Sequence, residues 1–242
     1  MTGWLDPLRA ALDAAEEPVP FFFRDDDAGW DDDALAALLD VFERHGMPLD
    51  VAAIPTETTA RTAALLRRRG GDVRVHQHGY AHVNHEAEGR KCEFGASRAP
   101  EQQRADVDRG RRLLAELVGD LPSLFTPPWN RCADWTPAVL RDLGFGILSR
   151  DLSAGRADVP GLAEVPVTVD WFAKRRKVPV DRDGRGGLLA QSAATGGPVG
   201  VMLHHAVTSA EERADVSDLL ALVAAHPAAT TVHLDALAAR VG

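Results

Sequence analysis

The chain contains little cysteine, little tyrosine and less positive than negative charge. Its 242 residues include two cysteines and one tyrosine, and 27 lysines and arginines stand against 36 aspartates and glutamates, for a net charge of −9. An acidic excess argues against the basic surface that nucleic acids require, so we expect no nucleic-acid partner. Cys92 and Cys132 are far apart and fit no zinc-knuckle spacing, and we expect both to be reduced thiols.

Long apolar stretches are also missing. The first residues, MTGWLDPLRAALDAAEEP, have no apolar core of the signal-peptide type, and no later run is long and uncharged enough to span a bilayer. We therefore expect a cytoplasmic protein with no membrane partner. No linker, repeat or low-complexity tract divides the chain, which predicts a single domain over residues 1–242. The sequence indicates no particular oligomeric state.

What the chain does contain is an alternation of short apolar runs with longer amphipathic ones. The predicted strands lie at 19–24, 48–55, 72–78, 122–128, 144–150, 162–169, 198–205 and 229–234, and the predicted helices at 31–46, 57–71, 101–118, 136–144, 209–225 and the end of the chain. Buried strands that alternate with helices are typical of a parallel sheet covered by helices. For a single chain of this length we predict a closed or nearly closed (β/α) barrel, with an open doubly wound sheet as the alternative.

Polar clusters follow four of the predicted strands. The run Asp25–Asp27 follows the first, HQHGYAHVNH the third and PPWN the fourth, while two histidines at 204–205 end a later one. Functional groups of α/β folds gather at the carboxyl ends of the strands, so we expect these clusters to meet at one edge. Three adjacent carboxylates are costly to bury unless a cation compensates them.

His78 and His82 have a spacing that suits a shared metal ion. On a helical turn, imidazoles four residues apart lie on one face, and a carboxylate from elsewhere would complete a site with open positions. Such a site on zinc lowers the pKa of a bound water to about 7 and produces a nucleophile. We expect a divalent metal, Zn²⁺ first, with Co²⁺, Ni²⁺ and Mn²⁺ as alternatives. An ordinary pair of loop histidines is the other interpretation.

The order of the motifs resembles the polysaccharide deacetylase superfamily, carbohydrate esterase family four. The aspartates after strand one, HGYAH, TPPWN and VMLHH follow the family's order over residues 19–206. The resemblance implies a distorted (β/α)7–8 barrel and metal-dependent hydrolysis of an N-acetyl group on a sugar. Because the sequence shows no secretion signal, we expect a small N-acetylated sugar or sugar conjugate rather than a cell-wall polymer.

The resemblance also implies roles for individual residues. The family uses two consecutive aspartates, the first as base and the second as metal ligand, so the pair is Asp25–Asp26 or Asp26–Asp27. We choose Asp26 as base and Asp27 as ligand, because Gly29 then lies two residues after the pair, as in related branches. The remaining ligands are then the two histidines of HGYAH, His78 and His82. His204 matches the catalytic acid, and we expect its neighbour His205 to be a supporting or exposed residue.

This sequence departs from the family where the third motif usually has an arginine, since Thr126 stands there. Three residues are candidates to replace that arginine near the catalytic aspartate: Arg131, Asn130 and Arg24. The turn PPWN and the segment VDWF, which resembles the fourth motif, give the expected substrate-binding residues Pro128, Trp129, Asn130, Arg131, Asp170 and Trp171. In this scheme the Asp170 carboxylate holds Arg131 or His204, and the Trp171 ring lines the pocket.

Two charged segments are expected to be exposed loops. They are GRKCEFGASR at 89–98, where Lys91 and Glu93 are alternative substrate contacts, and AKRRKVPVDRDGRGG at 173–187, whose basic residues would otherwise suit a phosphate.

Three other functions stay open at this point. The same site could hydrolyse another amide C–N bond. HQH at 76–78 resembles the HxH pair of a binuclear amidohydrolase, although that pair normally follows the first strand and no bridging lysine is obvious. The missing arginine also permits a degenerate barrel that binds carbohydrate without catalysis.

Overall fold

The structure is a computed structural model that describes residues 3–175 and 177–238, so Arg176 in the basic segment lies outside the described residues. The strands are β1 Val19–Ala28, β2 Leu49–Ala53, β3 Val73–His78, β4 Leu124–Thr126, β5 Ile147–Leu148, β6 Ala163–Glu164, β7 Val169–Asp170, β8 Lys174–Arg175, β9 Val178–Pro179, β10 Val199–Leu203 and β11 Ala229–Thr231. The helices are α1 Asp6–Asp13, α2 Asp32–His45, α3 Ala60–Arg67, α4 Pro100–Val118, α5 Thr136–Asp142, α6 Arg182–Ala193, α7 Ala210–Ala225 and α8 Leu234–Ala238.

Nine of these strands form one parallel sheet with the order β6-β5-β4-β3-β2-β1-β10-β7, and β11 pairs with β1. The segment from β6 to β7 contacts both ends of this order. β6 pairs with β5, Val167 bridges to Asp151, and β7 pairs with β10. The sheet therefore curls back on itself with helices around it, and the predicted distorted (β/α) barrel is confirmed.

The alternation of side chains along β1 explains both the core and the position of the site. Phe21 and Phe23 pack in the layer beneath the helices, whereas Phe22 packs in a second cluster with Met202 of β10 and Leu234 of α8. Successive side chains of a strand point to opposite faces, so β1 contributes to both layers. Its pairing with β2 becomes irregular between residues 25 and 28, at the acidic end of the strand.

Local signals fix several helix ends where the sequence predicted them. The Asp31 carboxylate accepts a hydrogen bond from the Ala34 N–H at 3.0 Å, and Gly46 ends α2 in the left-handed conformation with φ 60°. Ser209 and Glu212 form a capping box at the start of α7.

The segment 173–187 differs from the exposed loop that we expected. β8 and β9 form a short antiparallel hairpin there, and α6 begins at Arg182. A Cβ atom on Gly186 would lie 1.9 Å from the Trp4 carbonyl oxygen, so this glycine permits a close helix contact rather than a flexible loop. The buried Arg185 guanidinium pairs with the Asp215 carboxylate at 2.6 Å. Within the described ranges, no helix has both the length and the apolar character needed to cross a membrane.

Candidate active site

A pocket of about 420 Å³ opens where β1, β3 and β10 end and the turn after β4 begins. Nine residues line it: Asp26, Asp27, Trp30, His78, His82, Lys91, Trp129, Asn130 and His204. The four polar clusters of the sequence therefore meet at one edge of the sheet, as the parallel topology predicts.

Asp27, His78 and His82 form a cluster whose potential ligand atoms all lie within 4.8 Å of one another. The Asp27 Oδ1 atom is 3.1 Å from Nε2 of His78 and 3.1 Å from Nε2 of His82. Asp27 and His82 both have positive φ values, 71° and 54°, which non-glycine residues rarely adopt. Such backbone geometry is often found where a site requires it, and here it brings one carboxylate and two imidazoles together.

The donor set of this cluster fits a divalent metal ion. The His78 Nδ1 atom lies 3.1 Å from the Thr126 carbonyl oxygen and can donate to it, while Nε2 faces Asp27 and would exchange its proton for a bound metal ion. Burial alone would raise the pKa of Asp27, but hydrogen bonds from His78 and His82 hold that pKa well below its usual range. Two imidazole nitrogens and an ionised carboxylate suit zinc and the neighbouring transition metals.

Asp26 lies beside the cluster and is held by Arg24. The Arg24 Nε and Nη2 atoms donate to the two carboxylate oxygens of Asp26 at 2.7 and 2.8 Å. Both side chains are buried, and Arg24 is fixed by Ser149 Oγ at 2.8 Å and Asn130 Oδ1 at 2.7 Å. Burial raises the pKa of Asp26, but Arg24, together with His78 and His204, outweighs this effect and keeps the pKa below its usual value.

Arg24 is the candidate that contacts Asp26 directly. Of the three candidates, Arg24 contacts the Asp26 carboxylate, Asn130 supports the Arg24 guanidinium, and Arg131 instead donates to the Lys91 carbonyl oxygen at 3.1 Å. Arg24 and Asp26 are two residues apart on one strand, and alternation points both to the same face.

The first carboxylate of the run, Asp25, belongs to a different interaction. Its oxygens accept from the His205 backbone N–H at 2.9 Å and from His205 Nδ1 at 2.7 Å. His205 Nε2 faces the Trp30 carbonyl oxygen at 2.6 Å, so both ring nitrogens donate and the imidazole is protonated. Burial disfavours this charge, but Asp25, together with the Trp30 carbonyl oxygen and Asp27, outweighs burial and raises the pKa of His205 to about 9. Asp25 is thus turned away from the pocket, and His205 is fully buried rather than exposed.

His204 lines the pocket opposite these groups. Its Nε2 atom is 3.9 Å from Asp27 Oδ2, and its ring meets the edge of Phe172 with centroids 5.9 Å apart. The buried Nδ1 atom of His204 has no hydrogen-bond partner among the described residues. Burial raises the pKa of Asp170, the His204 imidazole opposes this rise, and the Asp170 Oδ1 atom accepts from the Phe172 N–H at 2.8 Å.

Aromatic rings form the wall of the pocket. The His82 ring lies between Trp30 and Trp129, with centroid distances of 4.7 and 4.3 Å. Trp129 was expected here, and Asn130 reaches the pocket beside it. Sequence analysis missed Trp30, although an aromatic residue shortly after the acidic run was an available signal.

Four expected substrate contacts do not line the pocket: Pro128, Arg131, Asp170 and Trp171. Asp170 instead accepts from the Phe172 N–H. Trp171 is 1% exposed and packs against the Trp4 ring, with the Arg185 guanidinium over its face, so it belongs to the core. Pro128 is buried behind the turn, and Arg131 points toward the Lys91 backbone. A short sequence motif does not show which face its strand or turn presents.

The HxH interpretation also fails, because His76 does not reach the ligand cluster. His76 is fully buried, its Nε2 atom lies 2.9 Å from Thr126 Oγ1, and it is absent from the ligand cluster that the described residues form. Burial and the Arg24 charge lower the pKa of His76 to about 3, so this imidazole stays neutral. His76 is a supporting residue, not half of a binuclear site.

The family of the chain can now be stated. A family model described as polysaccharide deacetylase matches residues 22–148, more than half of the sequence. The chain belongs to the polysaccharide deacetylase family. No curated protein matches the sequence significantly.

Solved structures share the fold at low sequence identity. A provisionally assigned polysaccharide deacetylase from Mycobacterium smegmatis is 16% identical with a TM-score of 0.75, covering 94% of this chain and 91% of that one. Puue allantoinase is 13% identical with a TM-score of 0.69, covering 91% and 89%. A family 4 acetyl xylan esterase from Clostridium thermocellum, in complex with a cobalt ion, is 15% identical with a TM-score of 0.57, covering 90% and 89%.

Proposed function

We propose that this protein is a metal-dependent hydrolase that removes the acetyl group from the amide nitrogen of a small N-acetylated sugar or sugar conjugate. Family membership supports deacetylation, and the observation that carries the proposal is the position of Asp26. Its ionised carboxylate is fixed by Arg24 beside the Asp27, His78 and His82 cluster, in a pocket walled by tryptophan. The sequence-based predictions of a cytoplasmic location and of one domain over residues 1–242 accompany this proposal.

Each pocket residue has a chemical task in this proposal. Asp27, His78 and His82 hold the divalent ion, which when bound supplies Lewis acidity and a nucleophile at neutral pH. Asp26 accepts the proton that the attacking water gives up, and Arg24 keeps its carboxylate ionised and correctly turned.

His204 donates a proton to the amide nitrogen, which leaves poorly unless it is protonated. Trp30 and Trp129 offer faces on which a sugar ring can stack, and Asn130 and Lys91 supply polar contacts at the same wall.

The direct test is acetate release from a panel of N-acetylated sugars, sugar phosphates and nucleotide sugars. We expect release from at least one of them, its loss after exhaustive chelation, and its recovery with Zn²⁺, Co²⁺, Ni²⁺ or Mn²⁺. The same rate before and after chelation would contradict the proposed role of the metal.

A second candidate is hydrolysis of another amide C–N bond. The similarity to an allantoinase fold favours including cyclic amides and ureides in the panel. Turnover of those compounds, with no acetate from any sugar, would replace the substrate in the proposal and keep the site.

A degenerate barrel that only binds carbohydrate is the third candidate. It would tolerate chelation without loss of ligand affinity. The intact set of base, ligands and acid favours catalysis over this alternative.

A further inference from the structure

Glu93 is a buried carboxylate outside the pocket that contacts the backbone between two predicted metal ligands. It is 1% exposed, although the charged loop that carries it was expected to be exposed. Its Oε1 atom accepts from the Ala81 N–H at 2.7 Å, and Oε2 accepts from the Tyr80 N–H at 3.2 Å. These two N–H groups lie in the turn that joins His78 to His82.

The turn from His78 to His82 is too tight for its backbone N–H groups to find acceptors within the turn itself. Gly79 has φ 58°, and a Cβ atom there would lie 2.2 Å from Glu93 Oε2 and 2.5 Å from Pro128 Cδ. The Gly79 N–H donates to the Thr126 carbonyl oxygen at 3.0 Å, which leaves the next two N–H groups for Glu93. Buried backbone donors need partners, so the carboxylate and the glycine are parts of one arrangement.

Glu93 is itself held firmly by its neighbours. The Phe94 carbonyl oxygen accepts from the Ala133 N–H at 2.7 Å, and the Phe94 ring packs edge-on against Phe125 with centroids 5.4 Å apart. On the other side, the Cys92 thiol donates to the Arg131 carbonyl oxygen at 3.3 Å. The carboxylate is therefore anchored to β4 and to the segment that follows it, and can act as a rigid support.

We propose that Glu93 is a positioning residue of the metal centre. By accepting both N–H groups of the turn, it holds His82 in its left-handed conformation and sets Nε2 at the Asp27 carboxylate. The inference rests on the proposed metal site, and concerns how that site is built rather than which substrate it acts on. Partners that orient ligands typically change metal affinity by about 10- to 100-fold when they are replaced.

The test compares the Zn²⁺ affinity of purified Glu93→Gln and Glu93→Ala with that of the unaltered protein, by competition with a chromophoric chelator. Gln keeps one acceptor oxygen but presents an NH₂ group to the second donor, so we expect a weaker defect than for Ala. We expect Zn²⁺ affinity to fall by about 10-fold for Gln and up to about 100-fold for Ala. Thermal unfolding of the metal-free proteins shows whether each variant is folded, and the Gln variant carries the test if the Ala variant is not.

The matched control is Glu86→Gln. Glu86 is a carboxylate of the same long loop, and its Oε1 atom accepts from the Ser97 N–H at 3.1 Å without contacting the turn. We expect this variant to bind Zn²⁺ normally. Equal losses in Glu86→Gln and Glu93→Gln would mean that loop stability alone matters, and would overturn the inference.

His78→Ala separates this inference from the proposed function. If His78→Ala loses Zn²⁺ while both Glu93 variants keep full affinity, the metal site stands and the role of Glu93 is wrong. If His78→Ala also binds Zn²⁺ normally, the metal site is wrong and the inference fails with it.

Discussion

Two aspartate–histidine contacts, one at each end of the barrel, differ in what the same two side-chain types can do. At the carboxyl ends of the strands, Asp27 is shared by His78 and His82 at the pocket wall. Near the amino end of β2, Asp50 is 2% exposed and lies 3.2 Å from His233 Nδ1, while its second oxygen accepts from the Leu234 N–H at 2.9 Å.

The surroundings decide what each pair can do. Both Asp50 oxygens are occupied by donors of the chain that leads into α8, and Leu234 of that helix packs in the interior cluster. Burial raises the pKa of Asp50 and outweighs His233, whereas two imidazoles lower the pKa of Asp27. We call Asp50 and His233 the closed pair, because both carboxylate oxygens already have donors, and this pair holds α8 in place. The Asp27 carboxylate, which His78 and His82 share at the pocket wall, remains available to a ligand.

The largest expected effect separates metal binding from catalysis at the carboxyl end. Asp26→Asn should keep the metal and reduce kcat by about 10³-fold or more, because the base is lost while the ligands remain. His78→Ala should lose both metal and activity. Metal analysis of the purified variants, combined with turnover of the best substrate, checks this prediction. Substantial activity in Asp26→Asn would assign the base elsewhere.

His204→Ala should come next in size. We expect normal metal content and a kcat lower by about 10²-fold, because the amide nitrogen then leaves without a positioned acid. A substrate with a better leaving group should be less affected, and steady-state kinetics on two such substrates measures the difference. An equal loss on both substrates would argue against His204 as the acid.

Breaking the closed pair should affect stability instead. Asp50→Ala removes the acceptor for His233 and Leu234 and should lower the free energy of unfolding by about 3 kcal/mol. Metal content and kcat of the folded protein should stay unchanged. Denaturant unfolding provides the measurement.

Arg74→Gln is the control for the closed pair. It breaks the half-exposed contact between Arg74 and Asp235 near the same end of the barrel. That loss should cost less than about 1 kcal/mol, since exposed ion pairs contribute little. Equal losses from Asp50→Ala and Arg74→Gln would remove the distinction between the closed pair and an ordinary surface pair.

The smallest expected effect lies at the pocket wall. Trp30→Ala should raise KM several-fold with little change in kcat, because it removes stacking area but no proton-transfer group. Trp135→Ala is a suitable control, since Trp135 is exposed to a similar degree and does not line the pocket. Unchanged KM in the Trp30 variant would exclude this ring from substrate binding.

The sequence predicted features that depend on periodicity or on neighbouring residues. Alternating elements predicted the barrel, Asp31 and Gly46 predicted the ends of α2, and the clusters at strand ends predicted their meeting at one edge. Each signal is local, or follows from the general topology of parallel sheets.

Features that depend on distant contacts were not predicted. Helix α6 was not predicted, because its glycines suggested a loop. Only the packed structure shows that a glycine in this helix permits close contact with Trp4. The burial of Glu93 and His205 depends on partners from other loops, and composition gives no sign of it. Trp171 was expected to line the pocket but lies in the core. A short motif does not show which face of its strand is buried.

The central claim is that Asp27, His78 and His82 together bind a single divalent ion. The most direct measurement is a crystal structure of the protein with Zn²⁺, using anomalous scattering at the zinc edge. We predict one strong peak about 2.0–2.2 Å from an Asp27 carboxylate oxygen and from Nε2 of both histidines. Zinc bound elsewhere, or none at these three side chains, would contradict the account.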